Sequence, residues 1–572
     1  MLSKGNLLAI FRSTVIAVIL ISMLIWPAGR VQADHVYTVT TTADSGPGTL
    51  RQALVDAAFR TDQSPVQIDF NIPKTDPGYG LNTVGVWTIE PLHSFPFLST
   101  SFITIDGLSQ ITNQGVTNPK GPSIEIDGIF INTAPIFYID SANNTIKGLV
   151  LNQAGYGVQI AGTPTYGPSE NHVESNYIGL DATAITAWPN IHGVVIQGGA
   201  HNNHVYNNRI AGNIKDGIEI TGNGTDWNTV QANYLGGNLN GDQLLANLRY
   251  NISVHDGPAY TLIGDINGDG IGSNYLYASG DDGIFISSSN HSVVGDNTIG
   301  SASAPAGKNG IEVNGGSIDT EIEENYILYS KEDGIYLSDA GTTATLFTNL
   351  ITNSVLHGIA VYNGAGPVDV DNNEIWFGGW SGVAIVNSNN NTVERNDIGG
   401  NRYNAQDKRG NGYYGVAVVG GSGNTIGPDN VIAHNGHATG SAGVEVDGSS
   451  AQNNRITHNS IFDNGGKGIL TSNGSNGQVP PPVINQANCQ MVLGTAGFQD
   501  VIEIFSDSLD EGQTFIGSTV VTNPSVPFIV WSGAFTGPNV TATATDSSGN
   551  TSEFAAPKAG ACFKTYLPRT SK

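Results

Sequence analysis

Between residues 193 and 468 the chain returns repeatedly to a short apolar strand opened by glycine: GVVI at Gly193, GIEI at Gly217, GIEV at Gly310, GIYL at Gly334, GIAV at Gly358, GVAI at Gly382 and GVEV at Gly443. Gly310, Gly334, Gly358 and Gly382 stand 24 residues apart, as do Gly193 and Gly217. A second marker, Asn-x-Ile or Asn-x-Leu, lies nine residues before the glycine at Asn208, Asn274, Asn325, Asn349 and Asn373. A third short strand comes earlier in each period, as in NNTV (390–393) and NNRI (453–456). Three short strands parted by Gly, Asn and Asp turns cannot bury their apolar faces alone. Stacked as coils they form parallel sheets around one continuous core. The pattern predicts an all-β parallel helix of roughly a dozen rungs between residues 140 and 475. Asparagine at a fixed corner can tolerate the left-handed region and stack on its counterpart in the next rung.

The N-x-I and G-I-x-I spacing resembles the right-handed parallel β-helix repeat proteins, which include pectate-lyase-like enzymes and many secreted bacterial proteins. YTVTTTADSGPGTLRQAL (37–54) looks like the cap that often begins such exported solenoids, a strand leading into a short helix capped at the Gly48–Arg51 turn. The resemblance covers about residues 35–475 and implies a right-handed solenoid. It leaves activity open, because this fold carries hydrolases, lyases, epimerases and adhesins.

After Pro480–Pro482 the period changes. VIEIFSD, TFIGSTVV, FIVWSG and NVTATATD alternate apolar and polar residues with turns between them, which predicts a small antiparallel, immunoglobulin-like β-sandwich. VTATATDSSGNTSEF resembles modules appended to secreted bacterial β-helix proteins. The expected organisation is a signal peptide at 1–33, a cap with first strands at 34–139, the β-helix at 140–478, a Pro-rich linker at 479–486, the sandwich at 487–562 and a tail at 563–572.

Composition fits that outline. Gly numbers 74 of 572 residues and charged residues are only 13%, while 39% are apolar, enough to build a core. Lys4 and Arg12 precede the apolar run TVIAVILISMLIW, with VQA before a cut, as in a secretory leader. Its apolar core is short for a membrane span. A secreted or cell-surface location is expected. The net charge of −26 becomes more negative once the leader's three basic residues are gone. Such a chain repels nucleic acid and anionic membranes, so a glycan partner and a monomer are expected. The two cysteines, Cys489 and Cys562, are expected to pair in an exported protein.

Insertions mark the edge of a solenoid that is free to carry chemistry. Most follow the N-x-I marker and precede the G-I strand: after Asn176, Asn233, Asn297 and Asn396. That corner also holds Trp188, Trp376, Phe377, Trp380, Tyr403, Tyr413 and Tyr414. Rings beside a groove suit sugar stacking, and Trp188, Trp376, Trp380 and Tyr414 are the substrate-binding candidates. They can equally serve to pack loops onto the coil.

The residue before each strand-opening glycine forms a column: His192, Asp216, Asp282, Asn309, Asp333, His357, Ser381. With rungs about 4.8 Å apart, Asp282 and Asp333 fall roughly 10 Å apart. Asp216, Asp281, Asp282, Asp333 and His357 are therefore the catalytic candidates. GDDG (280–283) resembles the paired-aspartate motif of polygalacturonase-like glycosidases. That family's Gly-His-Gly is replaced here by Lys308-Asn309-Gly310, and its Arg-x-Lys is missing. A lyase would need a base, for which Lys215 and Lys331 stand beside the column. Against any reaction, Asp and Asn before Gly are also what turns prefer. DINGDGIG (265–272) places Asp265, Asn267 and Asp269 at alternating positions before a glycine, as in a calcium loop, although Leu276 stands where the bidentate acid belongs. Calcium is the one cofactor expected, with no organic cofactor. The function expected is binding, with hydrolase or lyase cleavage, of an extended polysaccharide; a non-catalytic adhesive stalk is the rival.

Overall fold

The computed structural model describes residues 35–560 apart from 61, 63, 163–166, 239–243, 268, 438, 532 and 534. The expected leader, the tail and Cys562 lie outside the described residues. Cys489 is disulfide-bonded. No helix among the described residues is long and apolar enough to cross a membrane.

Three long sheets carry the fold. Sheet A has 15 strands, from His35–Val39 to Arg455–Ile456; sheet B has 14, from Trp87–Ile89 to Ser460–Phe462; sheet C has 13, from Pro135–Ile139 to Ile469–Ser472. Each turn of chain visits A, then B, then C, and every strand pairs in parallel with its counterparts one coil before and after. The strand after Gly283, for instance, sets Ile284 beside Ile252 and Ile311. The glycine period therefore belongs to sheet C. Its inward residues, such as Ile284, Ile286, Ile311 and Val313, are fully buried in one core that runs the length of the solenoid.

The asparagine marker lies at the corner between A and B. Asn176, Asn208, Asn233, Asn274, Asn297, Asn325, Asn349, Asn373, Asn396 and Asn430 form a buried ladder. After Asn176, whose Oδ1 accepts from Leu149 N, each Oδ1 accepts from the preceding rung's Asn, as where Asn325 donates through N and Nδ2 to Asn349 Oδ1, both at 3.0 Å. The left-handed residue is the one before the marker, as at Asn207, Glu324, Thr348 and Arg395, while the asparagine itself supplies the ladder. A second buried ladder, Asn144–Asn171–Asn203–Asn228, runs where sheet C hands over to A.

The N-terminal end is closed as expected. His35–Val39 begins sheet A and leads to helix α1, Leu50–Ala58, with Thr49 accepting from Gln52 N at its start. Leu50, Ala53, Leu54 and Ala57 turn inward and cover the first rung. The C-terminal module comprises two antiparallel sheets, of three and four strands. Its first strand is Val483–Ala487, inside the stretch expected to be linker, because pairing with Met491–Thr495 begins directly after the prolines, which lack the N–H a ladder needs.

Candidate functional site

The corner between sheets B and C carries the long loops at residues 179–191, 236–250, 300–310 and 399–415, as their sequence positions imply. DINGDGIG does not belong to it. That loop joins Leu262–Gly264 of sheet A to Tyr275–Leu276 of sheet B. Asp265 turns both carboxylate oxygens onto its own loop, accepting from Asn267 N, Asp269 N and Gly270 N at 2.8–3.1 Å. Asp269 likewise accepts from Ile271 N.

Beside the loop corner, the pre-glycine column reads Asp216, Tyr250, Asp282, Asn309, Asp333, His357, Ser381, Tyr414 along consecutive rungs of sheet C. Tyr250 is an addition to the expected column. Asn251 replaces the glycine in that rung, so Asp216 stands two rungs from Asp282, roughly 10 Å away. Five of these side chains cap the next rung. Asp216 Oδ1 accepts from Tyr250 N at 3.3 Å, Asp282 Oδ1 from Asn309 N at 3.0 Å, Asn309 Oδ1 from Asp333 N at 3.1 Å and Asp333 Oδ1 from His357 N at 2.8 Å; His357 Nδ1 accepts from Ser381 N at 3.2 Å. The turn chemistry of these positions is thus real, but it uses one atom of each side chain.

Asp216 has nothing left over. Arg249 Nε lies 2.9 Å from its Oδ1 and Ser253 Oγ donates to its Oδ2. Asp281 sits just outside the column and is paired with Lys308 of the next rung. The structure brings together Asp282, Asp333 and His357, and adds Glu312, which the column missed. Glu312 is the outward residue of GIEV, where strand alternation points side chains into solvent. It accepts from Asn309 Nδ2 at 3.0 Å and Asn314 Nδ2 at 2.7 Å. Burial, and then the Glu312 carboxylate beside it, push Asp282 far above the usual carboxylate range, and burial raises Glu312 as well. Burial, reinforced by Glu332 and Glu312, pushes Asp333 up to about 7.

His357 is the hinge between acids and rings. Burial pulls it down to about 4, so it is neutral. Because its Nδ1 accepts the Ser381 amide, Nε2 carries the hydrogen and donates to Tyr362 Oη, 3.2 Å away. Tyr362 therefore keeps its own hydrogen free for a ligand, and burial followed by Asp333 holds its phenol at about 12. Trp380, 52% exposed, meets the His357 ring edge-on at 5.5 Å, with Tyr413 6.0 Å from Trp380. On the other side of the acids Phe285 stacks on Tyr250 at 4.5 Å. Aromatic rings thus flank the carboxyls over six rungs, about 29 Å.

The other aromatic candidates divide. Tyr414 faces this sheet, beside Tyr413 and hydrogen-bonded to Glu445. Trp376 lies on sheet B under the Arg409 guanidinium, 3.6 Å from its ring centroid, so its face is taken by the insertion loop. Trp188 lies in the loop preceding the His192 rung, seven rungs from Trp380 and so roughly 34 Å along the axis. A cleft of about 470 Å³, lined by Tyr326, Glu374, Asp397, Arg402 and Tyr403, opens on sheet B. Its Asp397 is tied to Arg402 at 2.7 Å, and burial, followed by Asp397, raises Glu374 above the usual carboxylate range.

A family model described as "Right handed beta helix region" matches residues 247–375 and 309–485. The fold is a right-handed parallel β-helix. No curated protein matches the chain. Similar solved structures include the periplasmic alginate epimerase AlgG, at 13% identity over 66% of this chain and 78% of that one, TM-score 0.34. The A-module of Azotobacter vinelandii mannuronan C-5 epimerase AlgE4 is 10% identical over 77% and 99%, TM-score 0.36. The catalytic domain of a GH87 alpha-1,3-glucanase is 15% identical over 73% and 68%, TM-score 0.36. Likeness this slight carries no argument about chemistry.

Proposed function

We propose that the outer face of sheet C binds an extended, weakly charged polysaccharide and hydrolyses its glycosidic bonds. The observation that supports this most is the trio Asp282, Glu312 and Asp333 between the half-buried Tyr250–Phe285 pair and the exposed Trp380 and Tyr413, with burial raising Asp282. A buried carboxyl carrying a proton is what a general acid for glycoside cleavage needs, and an ionised neighbour supplies the base or nucleophile. Asp282 is the acid in this reading; Asp333 and Glu312 are the partners, and Tyr362 and Trp380 position the sugar. A polyuronate, the substrate of a lyase, would meet like charge here, since Lys308 is already paired with Asp281.

One observation favours a structural role instead: Asp282, Asn309 and Asp333 each cap the next rung's amide. A polysaccharide panel, with and without chelator, separates the two. Reducing ends should appear from a neutral glycan, and Asp282→Asn should lower the rate by about 10²–10⁴ while leaving binding intact. Binding without turnover on any glycan would return the column to its structural role.

A further inference from the structure

Beyond the acidic groove, two clusters among the described residues bring imidazole and carboxylate atoms within 4.8 Å of one another: His192 with Asp216 and Glu219, and His434 with His437 and Asp463. The first is already balanced. Glu219 lies between His192 Nδ1 and His255 Nε2, each 3.0 Å away, and the Arg249 guanidinium supplies positive charge at Asp216. The second is differently made.

His434 follows strand Val431–Ala433 and Asp463 follows Ser460–Phe462 one rung on, with His434 N donating to Asp463 O at 3.1 Å. The His434 side chain is only 2% exposed and packs edge-on against Phe462. Its Nε2 stands 3.1 Å from the Ala405 carbonyl, which can only accept, so Nε2 carries the hydrogen. Nδ1 faces Asp463 Oδ2, 2.9 Å away. The exposed His437 ring lies alongside, at 6.5 Å between centroids and 20° between planes.

We propose that His434, His437 and Asp463 bind one divalent transition-metal ion of the zinc class. Two imidazoles and one carboxylate suit zinc and its neighbours, whereas calcium and magnesium take oxygen ligands. A ligating histidine ordinarily donates its other ring N–H to a carbonyl or carboxylate, as His434 does to Ala405. Lys408, whose Nζ is 3.0 Å from Asp463 Oδ2, is 59% exposed and free to swing away when an ion arrives. Ala405 and Lys408 belong to the long loop that ends at Tyr413. The ion would therefore clip that loop to two rungs at the C-terminal end of the aromatic face.

The test uses the untagged chain, stripped by chelator and exchanged into metal-free buffer, then titrated with Zn²⁺ alone by calorimetry. One equivalent should be lost, or weakened at least about tenfold, in His437→Ala and in Asp463→Asn. Zn²⁺ should raise Tm in the native sequence through this site, and Co²⁺ should give the visible absorption of a tetrahedral ion that both variants lack. His437 is exposed, so its variant should match the native Tm when metal-free; His192→Ala should keep the equivalent. Absence of stoichiometric binding, binding unchanged in His437→Ala, or loss of the equivalent in His192→Ala instead, would each overturn the assignment.

Discussion

Asp333 and its neighbours tie function to stability through protons. A carboxyl raised to about 7 in the folded chain, against an ordinary value near 4, holds a proton that the unfolded chain has released. Its contribution to stability is complete below pH 4 and disappears as pH rises through 7. Glu511, also raised to about 7 by burial, adds to the same slope. Thermal melts should therefore give a Tm that falls between pH 4 and 7, with a shallower fall in Asp333→Asn. Asparagine keeps the Oδ1 that accepts the His357 amide, so the variant should be at least as stable as the native chain at pH 7. An unchanged slope would mean that Asp333 is ionised in the fold. The same residue explains what the sequence could not display. GDDG looks like an acidic pair, but only Asp282 enters the column, while Asp281 is taken by Lys308 one rung away. The partner that matters, Glu312, is separated in sequence by a whole coil.

At the scale of the strand and its corner, most of the fold was legible because one coil repeats the same burial problem. Glycine before the sheet C strand is a case where no Cβ fits: at Gly334 it would stand 2.4 Å from Ile351 and 2.5 Å from the Gly358 carbonyl. Asparagine at the A–B corner repeats because each side chain satisfies the next. The pattern is hidden where a rung breaks the marker. Asn251 in place of glycine hid Tyr250, and DINGDGIG, an insertion between sheets A and B, carries the alternating acids of a calcium loop on the other side of the coil from the sheet C strands. The outward positions Glu312, Tyr336 and Tyr362 carry no motif at all, since solvent-facing residues are free to vary. The ladder makes its own prediction. Asn325→Ala leaves Asn297 without its acceptor and frees the Val294 and Glu323 carbonyls inside the corner. Chemical denaturation should register a loss of roughly 1–3 kcal/mol or more, as expected for buried groups left unpaired. A change within a few tenths would mean that the ladder merely accompanies the sheets.

The whole molecule is a solenoid whose two ends would otherwise expose unpaired rungs, and α1 covers only one of them. The C-terminal sandwich, expected as a separate module beyond a linker, is built onto the other. Glu503, 2% exposed, accepts from Thr457 Oγ1 and His458 N on the last coil, and Glu511 accepts from Asn464 N, extending an asparagine ladder by one carboxylate. Ile461 and Gly512 exchange backbone hydrogen bonds, and Phe554 packs over Gly468. Asn550 Oδ1 and Thr551 Oγ1 accept the amides of Asn453 and Ile456, which would otherwise point out of the final rung. These contacts make the sandwich a cap, so a chain ending at residue 478 should expose the last rung of all three sheets. Such a truncation should aggregate through that face, seen as concentration-dependent growth in light scattering, and Glu503→Ala in the full chain should lower Tm without changing the proposed glycan-binding face on sheet C. A truncated chain that stays monomeric with the native Tm would mean that the solenoid closes itself and that the sandwich is free to serve another partner.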